Sequence, residues 1–203
     1  MIDYFALLNE ARRPWIDPEL LKAKFLVLSA EFHPDRVPTS SAPERAAAAR
    51  HYAELNSAFN CLREPKDRLR HLLELELGRK PKDLQEIPAD LADLFIEIAR
   101  LCQQANAFLA EKAKVTSPLL RVQLFERGQE WVERLGAMQR RIGERREKLA
   151  RELQLLDAEW SQKAGNASAG APLLSKLEAI HRLFSFYARW SSQIHEALVQ
   201  LAL

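Results

Sequence analysis

Apolar residues recur at helical spacing almost from the start of the chain. Tyr4, Phe5 and Leu8 fit one side of a short helix over residues 3–9, and Arg12-Arg13-Pro14-Trp15 reads as a loop. Asp17 and Pro18 form an N-cap and first-turn pair. A carboxylate there accepts from free N–H groups, and proline has none to leave unpaired. Leu21, Phe25, Leu28 and Phe32 then form one stripe, which predicts a helix to about Phe32. Pro34 cannot extend that helix and biases His33 away from helical angles, so His33 and Asp35 fall at an exposed corner. Residues 36–43 read as a loop. Tyr52, Leu55, Phe59 and Leu62 mark the apolar side of an antiparallel partner helix, Ala42 to about Arg63, whose alanine-rich start predicts tight packing. Pro65 opens a further helix to Leu77, and Gly78 ends it.

Residues 79–89, stiffened by Pro81 and Pro88, read as a linker. The next helix starts near Asp90 and ends near Lys114. Its stripe is Leu91, Leu94, Phe95, Ile98, Leu101, Cys102, Ala105, Phe108 and Leu109. Ser117-Pro118 opens a helix that runs to about Lys163, which is long for a globular protein. Leu135, Ile142, Leu149 and Leu156 hold a heptad, while the companion series from Trp131 and Met138 to Leu153 and Trp160 shifts by one at Arg145-Arg146. Gly136, Gly143 and Ala150 line up beside the seam and leave room for another helix to approach closely. That approach would offset the cost of each helical glycine, about 1 kcal/mol relative to alanine. Residues 164–172 read as a turn, and Leu177, Ile180, Phe184, Ile194 and Leu198 mark a last helix over about 173–201. The fold class is all-α. An antiparallel helix pair (domain 1–78) and the linker 79–89 precede a three-helix hairpin or bundle (90–203) with one coiled-coil-like helix.

Composition narrows the function classes. Of 203 residues, 47% are hydrophobic and 29% charged, which is globular rather than disordered. The net charge of +2 gives no field for nucleic acid or membrane. Arg140, Arg141, Arg145, Arg146, Lys148 and Arg151 interleave with Glu144, Glu147 and Glu152, so a solvated face with i,i+4 pairs is expected there. Cys61 and Cys102 lie far apart on apolar stretches and read as buried reduced thiols. No grouped metal ligands, phosphate-binding glycine loop or acid–nucleophile constellation is visible, so neither an enzyme, a cofactor nor a metal site is expected. No run reaches membrane-spanning length, and a helix starting at Asp3 leaves no room for a leader, so the expected location is cytoplasmic.

Two amphipathic helices joined by His33-Pro34-Asp35, with Asp3-Tyr4-Phe5-Ala6-Leu7-Leu8 before them and Leu55-Asn56-Ser57-Ala58-Phe59 within the second, resemble the J-domain. J-domains are the units by which co-chaperones stimulate the ATPase of DnaK-type chaperones. The resemblance implies that Asp35 engages a basic group on the chaperone through charge-assisted hydrogen bonds, with His33 and Pro34 shaping the loop. Arg36, Lys22, Lys24, Leu26 and Val27 complete the implied chaperone-binding set. The chain departs from the family in one respect. The outward positions of the second helix are Ala23, Leu26, Val27 and Ala30 rather than a basic face. Either this docking surface is unusually apolar, or another part of the chain covers it.

The compact helical C-terminal part, following Arg68-Leu69-Arg70-His71-Leu72-Leu73-Glu74-Leu75-Glu76-Leu77-Gly78, is similar to the HscB family. Those co-chaperones bring an iron–sulfur scaffold protein to a dedicated chaperone. Leu94-Phe95-Ile96-Glu97 is similar to that family's scaffold-binding run, so Phe95 and Ile96 are implied client contacts, with Phe184 or Phe186 as the aromatic contact from the last helix. Phe95 lies on the inward stripe and fits core or interface equally; Ile96 lies off it. The long heptad helix exceeds the family pattern. Two other readings are an adaptor whose helical hairpin recruits a different protein, and a structural coiled coil in which the tripeptide has no role.

Overall fold

The computed structural model describes residues 2–32, 41–81, 87–162 and 170–202. The described residues form seven α-helices and no strand: α1 Tyr4–Leu7, α2 Pro18–Glu31, α3 Ala42–Arg63, α4 Pro65–Leu77, α5 Ala92–Lys112, α6 Pro118–Gln162 and α7 Gly170–Ala202. A 3-10 turn, Ala89–Leu91, leads into α5. The helix ends follow local chemistry. The Asp3 carboxylate accepts from the N–H groups of Phe5 and Ala6, and that of Asp17 from those of Glu19 and Leu20. Glu44 caps α3 by accepting from the Ser41 N–H at 2.7 Å and its hydroxyl at 2.9 Å. Gly78 closes α4 at φ +65, a left-handed angle that costs glycine nothing. The last helix, α7, starts earlier than expected, at Gly170, with Pro172 inside its first turn, where the missing N–H costs little.

Two compact units form: Met1–Lys82 with Ala150–His181, and Asp83–Leu149 with Arg182–Leu203. They do not follow chain order, because α6 and α7 each contribute to both. In the first unit α3 packs against α1, α2 and α4. Phe25 stacks on Phe59 at 4.3 Å and Phe32 meets His51 edge-on at 4.3 Å, a pairing that runs α2 and α3 antiparallel. Leu21, Leu55, Leu62, Leu69 and Leu72 are buried beneath, whereas Phe25 and Leu28 are half-buried and Phe32 is exposed. Burial fades towards the end of α2. The alanine-rich start of α3 is not packed as its composition suggests: Ala46, Ala47 and Ala49 are exposed and only Ala48 is half-buried.

A polar cluster fixes the loop before α2. Asp157, buried on α6, accepts from the Arg13 guanidinium through Nε, 3.1 Å from both carboxylate oxygens, and through Nη2, and from the Trp15 N–H at 3.3 Å. Trp160 donates its indole N–H to the Arg12 carbonyl at 2.8 Å. Arg68 is buried and donates to the carbonyls of Pro14 at 2.9 Å and Leu62 at 2.6 Å. Burial pushes its guanidinium down to about 10, so it stays charged at neutral pH.

In the second unit three ties between α5 and α6 recur at one register: Glu111 with Arg127, Gln104 with Arg134, and Glu97 with Arg141. Each step of seven residues back along α5 is seven forward along α6, so the two run antiparallel. The ring pair Phe95–Trp190 and the bond from Lys112 to the Leu201 carbonyl run α5 and α7 parallel. Leu94, Ile98, Leu101, Leu135, Ile142, Phe184 and Ile194 fill the core. Arg127, Arg134 and Arg141 of α6 thus pair across helices. Among the described residues Arg140–Glu144, Glu144–Lys148 and Glu147–Arg151 do not close to salt-bridge distance.

Among the described residues no helix closes on Gly136 or Gly143 of α6. A side chain at Gly143 would meet nothing within 4 Å, and one at Gly136 only the Arg140 guanidinium at 3.7 Å. Gly143→Ala should therefore stabilise the protein by about 0.5–1 kcal/mol, read from the denaturant midpoint; a loss of stability would show a close neighbour.

Burial also sets a pH dependence. His71 Nε2 accepts the Tyr4 N–H at 3.0 Å, so the buried ring must be neutral, and burial holds its pKa below 6.5. His181 is depressed likewise, by burial and then by Arg70 and Lys66. Above 6.5 both residues are neutral, folded or unfolded. Below it the unfolded chain takes up protons first, so stability should fall by up to about 1.4 kcal/mol per pH unit for each histidine until the folded pKa is passed. Denaturation between pH 7 and 5.5 should show this fall, and a His71→Gln variant a shallower one.

Candidate functional site

The first candidate surface is the outer side of α2. His33, Pro34, Asp35 and Arg36, which follow it in sequence, lie outside the described residues. The helix that leads to them is described in full. Leu26 is 55% and Val27 68% exposed, Leu20 is exposed beside them, and Ala23 and Ala30 continue the strip. Among the described residues nothing covers Leu26 or Val27, and the outer side of α2 is open and apolar there. Lys22 is exposed. Lys24 is tied down: its ammonium lies 2.8 Å from Glu10 and donates to the Asn9 carbonyl at 3.0 Å. Asn9 sits in the left-handed region, which asparagine tolerates, and turns the chain so that its carbonyl meets that ammonium.

The second candidate surface lies on α5 in the other unit. Ile96 is 53% and Phe95 39% exposed, adjacent residues on a helix whose buried side is already complete with Leu94 and Ile98. Each borders a groove. Ile96, Glu97, Met138 and Arg141 line one of about 530 Å³ between α5 and α6, bridged where Arg141 meets both Glu97 oxygens at 2.7 Å. Phe95, Cys102, Leu109 and Trp190 line another of about 880 Å³ between α5 and α7. Phe184 and Phe186, the aromatic contacts implied on α7, are buried and form core instead of surface. Two residues apart on a helix, they point to nearly opposite sides, so both are buried because α7 is packed on more than one side. Phe186 stacks on Trp190 at 5.5 Å, and Trp190 lies 6.4 Å from Phe95, so Phe186 backs the residue that backs Phe95. Trp190 went unread in the sequence, although Phe186, Trp190, Ile194 and Ala197 continue the α7 stripe three and four apart.

Among the described residues neither surface presents reactive chemistry. Cys61 and Cys102 are half-buried rather than fully enclosed. Burial pushes the Cys61 thiol up to about 11 and raises that of Cys102, so both stay protonated. Among the described residues no three His, Cys, Asp or Glu side chains group as metal ligands, and no helix is long and apolar enough to cross a membrane.

Exposure makes a stability prediction. Ile96→Asp should leave the melting temperature within a few degrees of the parent, because surface substitutions usually stay within about 0.5 kcal/mol. Phe184→Ala should cost about 3–5 kcal/mol by opening a cavity. Thermal denaturation of both variants checks the pair, and equal losses would place Ile96 in the core.

No protein-family model matches the chain. It is 31% identical over 132 residues to the co-chaperone protein HscB homolog of Bordetella avium, which covers 61% of this chain and 78% of that protein. Among solved structures, chaperone HscB from Vibrio cholerae superposes with a TM-score of 0.57 at 22% identity, covering 98% of this chain and 99% of that one. Human co-chaperone protein HscB superposes at 0.58 and 19% identity, covering 98% and 81%. These two show a shared fold that takes in α6 and the whole C-terminal part, where sequence motifs run out. Joined to the sequence identity over most of the Bordetella relative, that fold places the chain in the HscB family of co-chaperones.

Proposed function

We propose that this protein stimulates the ATPase of a DnaK-type chaperone through His33, Pro34 and Asp35, and brings to it an iron–sulfur scaffold protein held on the α5 surface. The observation that carries the reading is that a member of the HscB family has His33-Pro34-Asp35 directly after an α2 whose outer side is open. Residues 1–78 act as the J-domain, 79–89 as its linker, and the helical part from 90 onwards selects the client. Asp35 accepts from a chaperone guanidinium, with Arg36, Lys22, Leu26 and Val27 around it. Lys24 holds the α1–α2 corner through Glu10. Phe95 and Ile96 are the client contacts. The protein works in the cytoplasm, by binding, and the hydrolysis happens on its partner.

The test has two arms. His33→Gln and Asp35→Asn should each abolish stimulation of the cognate chaperone with the circular dichroism unchanged, since Pro34 ends the helical pattern and the sequence reads both as exposed corner residues. Stimulation that survives both substitutions refutes the assignment. Ile96→Asp should weaken scaffold binding about ten- to hundredfold, the worth of burying one such side chain, while stimulation persists. If the unaltered protein captures no iron–sulfur scaffold, the helical part recruits a different client.

A further inference from the structure

We propose that α2 meets the chaperone through an apolar strip, so that docking is driven by buried hydrophobic area and is nearly insensitive to salt. This rests on the chaperone-stimulating function proposed above and specifies the partner's surface chemistry. The chaperone face opposite α2 is apolar and carries little charge.

The argument begins with the periodicity of α2. Leu20, Ala23, Val27 and Ala30 follow each other three and four apart, with Leu26 beside them, and all five are exposed. At 1.5 Å per residue the strip is about 15 Å long. The opposite side of the same helix, Leu21, Phe25 and Leu28, faces α3. A helix apolar on both sides is ordinarily buried on both, so the outer side belongs to a partner.

Charge says what kind of partner. The charged residues of α2 are Glu19, Lys22, Lys24 and Glu31, which balance. Lys24 already has Glu10 at 2.8 Å and the Asn9 carbonyl at 3.0 Å, so recruiting it would break both. That leaves Lys22 as the cation of α2 available to an acidic face, too little for electrostatic steering. Position says which partner. The strip ends one turn before His33-Pro34-Asp35 in the sequence, so a chaperone engaged by that tripeptide has α2 next to it.

The test is the co-chaperone concentration giving half-maximal stimulation of the cognate DnaK-type chaperone, with binding followed in parallel by a biosensor. The unaltered protein should hold its half-maximal concentration within about threefold between low and high salt, since screening acts on charge pairs and α2 adds little charge beyond the one pair at Asp35. Leu26→Asp with Val27→Asp should raise it at least about tenfold, for the loss of one buried side chain or more, with helicity retained. Leu155→Asp, at an exposed leucine on α6, controls for charge alone and should change nothing. A steep loss of binding with salt, or a double variant that stimulates normally, overturns the proposal while leaving the chaperone function standing. If the unaltered protein sediments as a dimer that the double variant abolishes, the strip is a self-contact and the proposal is likewise overturned. A protein that stimulates nothing at any salt removes the function and the strip's role together.

Discussion

The buried carboxylate of Asp157 is the point on which the first unit turns. It gathers the Arg13 guanidinium and the Trp15 N–H, and so fixes the strand of chain that delivers Asp17 to the start of α2. An ionised carboxylate in the interior is tolerable only when its oxygens are fully engaged, and here a fork-shaped cation and a backbone donor engage them. Trp160, three residues on, holds the Arg12 carbonyl, and Arg68 holds that of Pro14. The loop carbonyls are paired with side chains because no helix or sheet is there to take them. A buried cluster of this kind adds little net stability, since desolvation of the ions offsets most of their attraction. What it supplies is position. Removing Asp157 would leave Arg13 unpaired and Trp15 unanchored, and α2 would lose its fixed entry point.

That division between position and stability explains what was legible beforehand. Helix ends depend on neighbouring residues, so Asp3, Asp17, Pro65 and Gly78 could be read directly. The buried heptad Leu135, Ile142, Leu149 and Leu156 was equally plain, because periodicity reports the side a helix turns inward. Asp157 and Arg68 could not be found that way. A charged residue on an amphipathic helix looks solvated until a partner 144 residues away in sequence is brought to it. The glycine line failed for a related reason. Small residues permit an approach but do not compel one, and among the described residues no other helix comes within 4 Å of a side chain placed at Gly143.

The candidate site was legible in part. Ile96 stands off the stripe of α5 and is exposed as its register requires. Phe95 stands on the stripe yet is also open, because the inward arc of α5 is already filled by Leu94, Ile98 and Leu101. Phe184 and Phe186 were taken by the core because α7 is apolar around more than one side. With Tyr187 and Trp190 also buried, four large aromatic residues fill one stretch of seven. In such a helix, type alone does not separate a contact residue from a packed one.

A co-chaperone must let go of what it binds, and this limits how each surface can be built. Two adjacent apolar residues on α5, or a short strip on α2, would each offer an affinity worth a few side chains. Binding also costs several kcal/mol in lost freedom, so a surface that small stays reversible. Exposed apolar area carries its own hazard, since larger patches associate without selectivity. On α2 the strip is thinned by Ala23 and Ala30, and Lys22 and Glu19 stand at its edge. On α5 the Arg141–Glu97 pair spans the groove next to Ile96. Both surfaces therefore set polar groups beside a small exposed apolar area. Such groups penalise a partner that cannot match them and do not hinder one that can.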